Sequence, residues 1–478
     1  MTRRVPILLV FGGLLVAGLV VDRSRPAPAE VTFGTATAPV QPVASAPSAE
    51  TTTWFCPGMP APPDGSMAGF VTMSNPTDKD VSATLTVVPS EGSPAKRDVK
   101  LAAHTTTSVN VAEVVSAPFA AAQVDVQGGG VVVEQSVAKG EIRDPSACAT
   151  ATASTWYVAS GVTTRDATLT YFVYNPYPDD AIVDMDFATN EGRFAPQPLQ
   201  GLVVRGGTVK VVSITDQVRR RTAVAGTVTA RSGRVVLGRL QTYDGSSGPN
   251  GFTSGVAAPS AQKVWWFPDG RRVPNVSERV VVYNPGPNPA EVDIEVRPPN
   301  SSSDDNPDLA TLQSLSLSPF SETAYDVTGD ATVADGVHSI VVSSANDTPI
   351  VVERVTNLVA KSGTRGVSSM LGSRLTANRW LLAAGSASDT VVEEITILND
   401  NDADATVKLS TLEPDGTKAL GEPLTVPGGS FVQVRVNDLI DRAPVTILAE
   451  SDKPVVVERG LVFKGEVGTS RQLGVPLS

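Results

Sequence analysis

"VVVERG" occupies residues 455–460, and related letters recur at 351–354 (VVER), 131–135 (VVVEQ) and 235–239 (VVLGR). A run of valines reads as a buried β-strand. Why such a strand should end in a carboxylate and a guanidinium, and do so repeatedly, separates two readings of the chain. One is an enzyme, and the other is a string of structural modules.

Self-comparison favours modules. Four segments open with tryptophan: WFCPG at 54, WYVASG at 156, WWFPDG at 265 and WLLAAG at 380. Each is followed by an alternating stretch that ends in asparagine, at Asn75, Asn175, Asn284 and Asn399. A second alternating strand, a third, and then the Val-rich segment complete each copy. The repeat length is about 100–115 residues, with roughly seven short strands per copy. Period-two alternation with frequent turns predicts an all-β protein of four tandem Ig-like β-sandwiches. A propeller with two blades per copy would need similarity between half-copies, and none is seen. Asn-Pro ends a strand because Asn bonds its own turn and Pro withdraws a ladder donor.

The predicted boundaries are 1–22 for a cytoplasmic tip with a membrane anchor or signal, and 23–53 for a Pro/Ala/Ser/Thr-rich stalk. The sandwiches follow at 54–150, 151–260, 261–373 and 374–478. Residues 5–21 are uncharged and follow two arginines. That run is about the minimum for a bilayer span, with the body outside. The alternative is a cleaved signal, with APA at 27–29 as the processing site. The stalk lacks apolar periodicity and reads as disordered. In series, modules of about 35–40 Å each would form a rod.

The net charge of −12 argues against nucleic acid as a partner, since phosphate binding needs clustered Lys and Arg. The partners expected are the membrane, through the N-terminal helix, and either cell-wall glycan or an envelope protein.

The Trp-initiated units, the strand-ending NP, SDKPVVVERG (451–460), ANDTPIVVERV (345–355) and the closing GV elements resemble repeats of exported actinobacterial proteins. In particular they resemble a membrane-anchored or secreted family, the domain of unknown function 5719 family, whose members open their first unit with a sequence like WFCPG. The resemblance covers about residues 54–478. VVLGRLQ in the second unit and Asn399-Asp400 in the fourth depart from it. It implies an envelope protein outside the cytoplasmic membrane and no established activity.

No catalytic, cofactor or metal residue is predicted. Glu134, Glu353, Glu458, Arg239, Arg354 and Arg459 recur across units, which suits a shared structural task better than a catalytic one. Neighbours on a strand face opposite sides, so Glu and Arg cannot serve one site. The arginine is expected to lie along the following Trp or to cap carbonyls where units meet. Trp54, Trp156, Trp266 and Trp380 are expected as core plugs, with Trp265 as the extra one. Cys56 and Cys148 are the only cysteines and flank the first unit, so a disulfide is expected in an oxidising compartment. His104 and His338 match no zinc or triad pattern. Asp400, Asp402 and Asp404 lack the Gly and Glu of a calcium loop and read as a hairpin turn. The expected role is therefore a non-catalytic scaffold of the cell envelope, with a cell-wall glycan-binding or adhesion protein as the alternative.

Overall fold

The first unit lays down eight strands: β1 (Thr52–Ala61), β2 (Ala68–Asn75), β3 (Val81–Pro89), β4 (Ala95–Leu101), β5 (Thr105–Asn110), β6 (Ala117–Gln127), β7 (Val132–Lys139) and β8 (Ile142–Ala147). They form two antiparallel sheets, ordered β1-β6-β3-β4 and β5-β2-β7-β8. These strands belong to a computed structural model that describes residues 40–299, 310–359, 365–464 and 468–478. Unit 3 repeats the plan, and unit 2 does so with its fourth strand split into Gly192–Phe194 and Leu202–Val204, both paired with Ala181–Thr189. In unit 4 the sixth and seventh strands run together as Arg442–Phe463, so one strand belongs to both sheets. Each unit is a two-layer sandwich that carries, after the Val-rich seventh strand position, a further edge strand beyond the seven expected. The first strand pairs with the sixth, whereas an immunoglobulin constant domain sets its first strand beside the second.

The outer sheets alternate as their sequences do. In β3, Ala83, Leu85 and Val87 are buried while Ser82 is exposed. The inner sheets do not alternate: every residue of β7 from Val132 to Ala138 is buried. A strand buried on both faces needs cover from outside its own sandwich, and the neighbouring unit supplies it.

One side chain per unit joins the two layers. Asn75, Asn175, Asn284 and Asn399 are almost fully buried. Each Nδ2 donates to the carbonyl four residues on (Lys79, Asp179, Asn288, Ala403) at 2.7–3.0 Å. Each also reaches the carbonyl that ends the strand before the fifth, such as Val204 at 3.1 Å and Val426 at 2.9 Å. The Oδ1 accepts the N–H two residues on. The amide thus supplies the donors that two turns need.

The four units do not extend as a rod. The eighth strands, β8, Asn250–Val256, Arg365–Leu371 and Gly468–Leu473, touch in cyclic order, and the last meets the first. The described residues from 40 to 478 accordingly belong to one compact unit. Unit 1's apolar core runs into unit 2 at Phe172 and Leu240 and into unit 4 at Leu381 and Leu448. A head-to-tail interface whose rotation closes makes a ring.

Part of the expected stalk belongs to this body. Gln41 is 3% and Ala44 0% exposed, and Ala44 pairs in parallel with Leu477. The expected membrane anchor and the stalk through residue 39 lie outside the described residues. Among the described residues no helix is long and apolar enough to cross a membrane. Cys56 and Cys148 form a disulfide with Cα atoms 4.7 Å apart. It fastens β1 to the segment after β8, beside the Phe55–Ala149 bridge.

Candidate functional site

Glu and Arg of the valine motif point to opposite faces of the seventh strand, and in the ring each face meets a different neighbour. Arg239 of unit 2 pairs with Glu353 of unit 3 at 2.6 Å. Arg354 of unit 3 pairs directly with Glu458 of unit 4. Arg459 of unit 4 lies 3.7 Å from Glu134 of unit 1. Each carboxylate also accepts a backbone N–H from the first strand of the preceding unit or the residue just after it: Ala159 to Glu353 at 2.9 Å, Asp269 to Glu458 at 3.2 Å and Ala383 to Glu134 at 3.1 Å. Burial works against the charge on Arg354, but Glu458 and Glu278 outweigh it and hold the guanidinium protonated. Gly460, the last letter of VVVERG, leaves room for Arg471 and Asp269, which a Cβ there would strike.

The seam between units 1 and 2 lacks this device in all three of its parts. Gln135 stands where the arginine would be, Gly238 where the glutamate would be, and Pro57 where the N–H donor would be. The replacement fits sterically, since a Cβ on Gly238 would come within 2.7 Å of Pro57 Cγ. The amide of Gln135 is buried with no hydrogen-bond partner among the described residues.

A second polar ring surrounds the axis. Asp144 on β8 accepts from Ser254 N and from Ser470 Oγ, each at 2.6 Å, and so touches both neighbouring units. Ser369 N donates to Thr253 Oγ1 at 3.0 Å, and Arg471 N to Ser368 Oγ at 2.9 Å, which completes the circuit. Burial pushes the Asp144 carboxyl up to about 6, with Ser470 and Ser254 opposing it. At the seam of units 3 and 4, Asp269 sits between Arg471 at 2.5 Å and Arg271 at 3.2 Å. Burial alone would raise its pKa, but Arg471, Arg271 and Arg354 together bring it below the ordinary value. His338 is buried against Glu278 at 2.8 Å, and His104 sits in a turn beside Asp78 at 2.9 Å.

The tryptophan assignment needs one correction. Trp54, Trp156 and Trp380 are fully buried, and the third equivalent is Trp265, not Trp266. Trp265 Nε1 donates to Ile350 O at 3.1 Å, matching Trp156 to Val235 O and Trp380 to Val455 O. Trp266 is half-buried and donates to Asp400 Oδ2 at 2.7 Å, across the seam to unit 4. Arg239 caps the Ser160 carbonyl at 2.5 Å, while Arg354 lies over Phe267 at 5.6 Å.

Sequence reasoning missed Asp144, Asp269, Ser254, Ser369 and Ser470. The available signal was composition: IRDPSA, GFTSGV, GVSSML and SRQLGV are polar-rich segments recurring at the same place. Among the described residues no group of three or more His, Cys, Asp or Glu is arranged to hold a metal ion.

An axial cavity of about 120 Å³ opens beside the polar ring and is lined by residues of all four units with Gln41 and Pro42. Chemically, the arrangement couples units: the motif's carboxylates face guanidiniums and backbone N–H groups across subunit-like seams within one chain.

No curated protein matches the chain. Among solved structures, Thermotoga maritima 1070 is 18% identical, with 24% of this chain and 95% of that chain covered at a TM-score of 0.21. A tetra-tandem repeat from the extending region of a large adhesion protein is 10% identical over 90% of this chain and 99% of that chain, at 0.12. Streptomyces avermitilis alpha-L-rhamnosidase complexed with L-rhamnose is 11% identical over 82% and 55%, at 0.13. Scores this low carry no argument about fold or function. The model of the "Family of unknown function (DUF5719)" matches residues 45–262 and again 233–475. Those spans overlap and run across the whole ring, and the chain belongs to that family.

Proposed function

We propose that this is a non-catalytic extracytoplasmic protein of the cell envelope that acts as a structural or interaction scaffold. It would be held at the cytoplasmic membrane by the apolar run at 5–21, or secreted after cleavage. The observation that carries the reading is the use of the recurrent Glu and Arg residues. They pair with one another between units and are thereby taken up in closing the ring. The disulfide supports an oxidising compartment. Four sandwiches, immunoglobulin-like in layering, expose loops and sheet edges that suit partner binding. The test is cross-linking in membranes followed by pull-down of the full chain. Recovery of a defined envelope protein supports the scaffold, and a turnover activity abolished by Glu458→Gln in a folded protein defeats it.

A second reading, cell-wall glycan binding, has its own support. A cleft of about 260 Å³ between units 2 and 3 is lined by Tyr157, Tyr283, Phe320, Asp186 and Arg193. Aromatic faces beside polar groups suit sugar rings. Co-sedimentation with purified wall that is lost in Tyr157→Ala would select this reading.

A further inference from the structure

The axial cavity differs from the rest of the interior in its balance of charge and hydrogen-bond donors. Its walls are largely apolar, with Trp156, Val256, Met370 and Leu473 among them. Three guanidiniums and one carboxylate also line it: Arg239, Arg374, Arg471 and Glu353. Arg239 is balanced by Glu353 at 2.6 Å, and Arg471 by Asp269 at 2.5 Å. Arg374 makes no ion pair among the described residues. Its guanidinium lies over Trp265 at 5.5 Å, and Nε and Nη1 have no hydrogen-bond partner. Arg374 is half-buried as a residue, with Nε and Nη1 its buried atoms; this desolvation without a counter-charge pulls its pKa down to about 9, so it still carries a proton at neutral pH.

The neutral lining groups lean the same way. Gln472 is 5% exposed; its oxygen accepts from Arg459 at 2.6 Å, and its Nε2 has no partner among the described residues. The Ser146 hydroxyl is likewise buried and unpaired. An amide N–H and a guanidinium can only donate, and buried polar groups are normally satisfied. The cavity therefore offers spare donors and one positive charge in excess within apolar walls. A pocket that is mostly apolar with a few polar groups is the usual form of a small-molecule site.

We propose that the axial cavity binds a small organic monoanion, a carboxylate with a short aliphatic tail. The carboxylate takes up the spare donors and the charge of Arg374, and the tail lies on Trp156, Met370 and Leu473. Size sets the class: an apolar cavity of about 150 Å³ holds benzene, so about 120 Å³ suits a ligand of similar bulk. The seam ion pairs remain as described, because the cavity's other two guanidiniums are already paired.

The test is calorimetric titration of the full exported chain with hexanoate, and separately with hexylamine, in carboxylate-free buffer. Saturable one-to-one binding of hexanoate, at least tenfold tighter than hexylamine, is expected. Arg374→Gln should weaken hexanoate at least tenfold, and Met370→Trp, which fills the cavity, should abolish binding. Absence of hexanoate binding by the folded wild-type chain, or equal affinity for the amine, overturns the proposal. The wild-type comparison decides the matter even where a variant fails to fold. Retained affinity in a folded Arg374→Gln variant also overturns it.

Discussion

Arg459, near the end of the chain, lies 3.7 Å from Glu134 of the first unit, and both side chains are fully buried. This contact closes the circle. It also answers why a buried strand ends in two charges: each belongs to a different seam. Buried ion pairs add little net stability over apolar packing, but an unpaired partner is costly. Their value here is in specifying order, since an arginine face meets only a glutamate face.

Removing one partner should therefore hurt more than removing both. Arg354→Ala leaves Glu458 buried without its guanidinium, and a loss of about 3–5 kcal/mol is expected. Arg354→Met combined with Glu458→Gln should lose clearly less. Urea unfolding of the three proteins checks this, and a double variant as weak as the single one contradicts it.

The seam of units 1 and 2 makes a steric prediction. Gly238→Ala brings a methyl group to 2.7 Å from Pro57 Cγ. Overpacking of this kind costs about 1–3 kcal/mol. Pro57→Ala in the same chain should recover most of the loss, as read by thermal unfolding.

Glu393 carries a pH dependence with a definite sign. It is fully buried on the second strand of unit 4, and burial pushes its carboxyl from the ordinary 4.5 up to about 7, against the pull of Arg459 and the Ser386 N–H and with the repulsion of Glu134. The folded state thus holds a proton that the unfolded state releases between those values, so stability falls as pH rises from 4.5 to 7. Glu393→Gln removes this titration. It should gain up to about 3 kcal/mol over wild type at pH 8 and nothing at pH 4. Asp144 acts in the same sense up to about 6, so a smaller slope should persist in the variant.

The disulfide closes a loop of 92 residues in sequence. Chain entropy allows up to about 4–5 kcal/mol for such a loop. Cys56→Ser with Cys148→Ser should lower the unfolding midpoint accordingly, and thiol labelling of the unreduced protein should find no free sulfhydryl.

The two adjacent tryptophans should respond differently. Trp265→Ala empties a core site and should cost about 3–5 kcal/mol. Trp266→Ala loses the bond to the Asp400 carboxylate and a partial contact with unit 4's core, and should cost less, about 1.5–2 kcal/mol. Equal losses in denaturant unfolding would contradict the assignment of Trp265 as the repeat residue.

Much of this protein was readable from local pattern. Alternation in segments such as Val81–Pro89 depends on one sandwich's own core, so sequence alone carries the strands, the four repeats and the all-β class. The Cys56–Cys148 pair was legible because only two cysteines flank one unit. Trp265 and Trp266 could not be separated, because the bulge between Phe267 and Gly270 shifts the register that follows.

The ring itself was decided by tertiary structure. Adjacent Glu and Arg on a strand reveal only that they face opposite ways, and nothing local says what covers each face. The eighth strands were not anticipated, because their hydroxyls, Asp144 and Arg471 find partners only across seams. The path of residues 40–53 over the body was hidden for the same reason. Long-range closure supplies the second buried face, and no period of two along one strand can announce a neighbour that arrives from another unit.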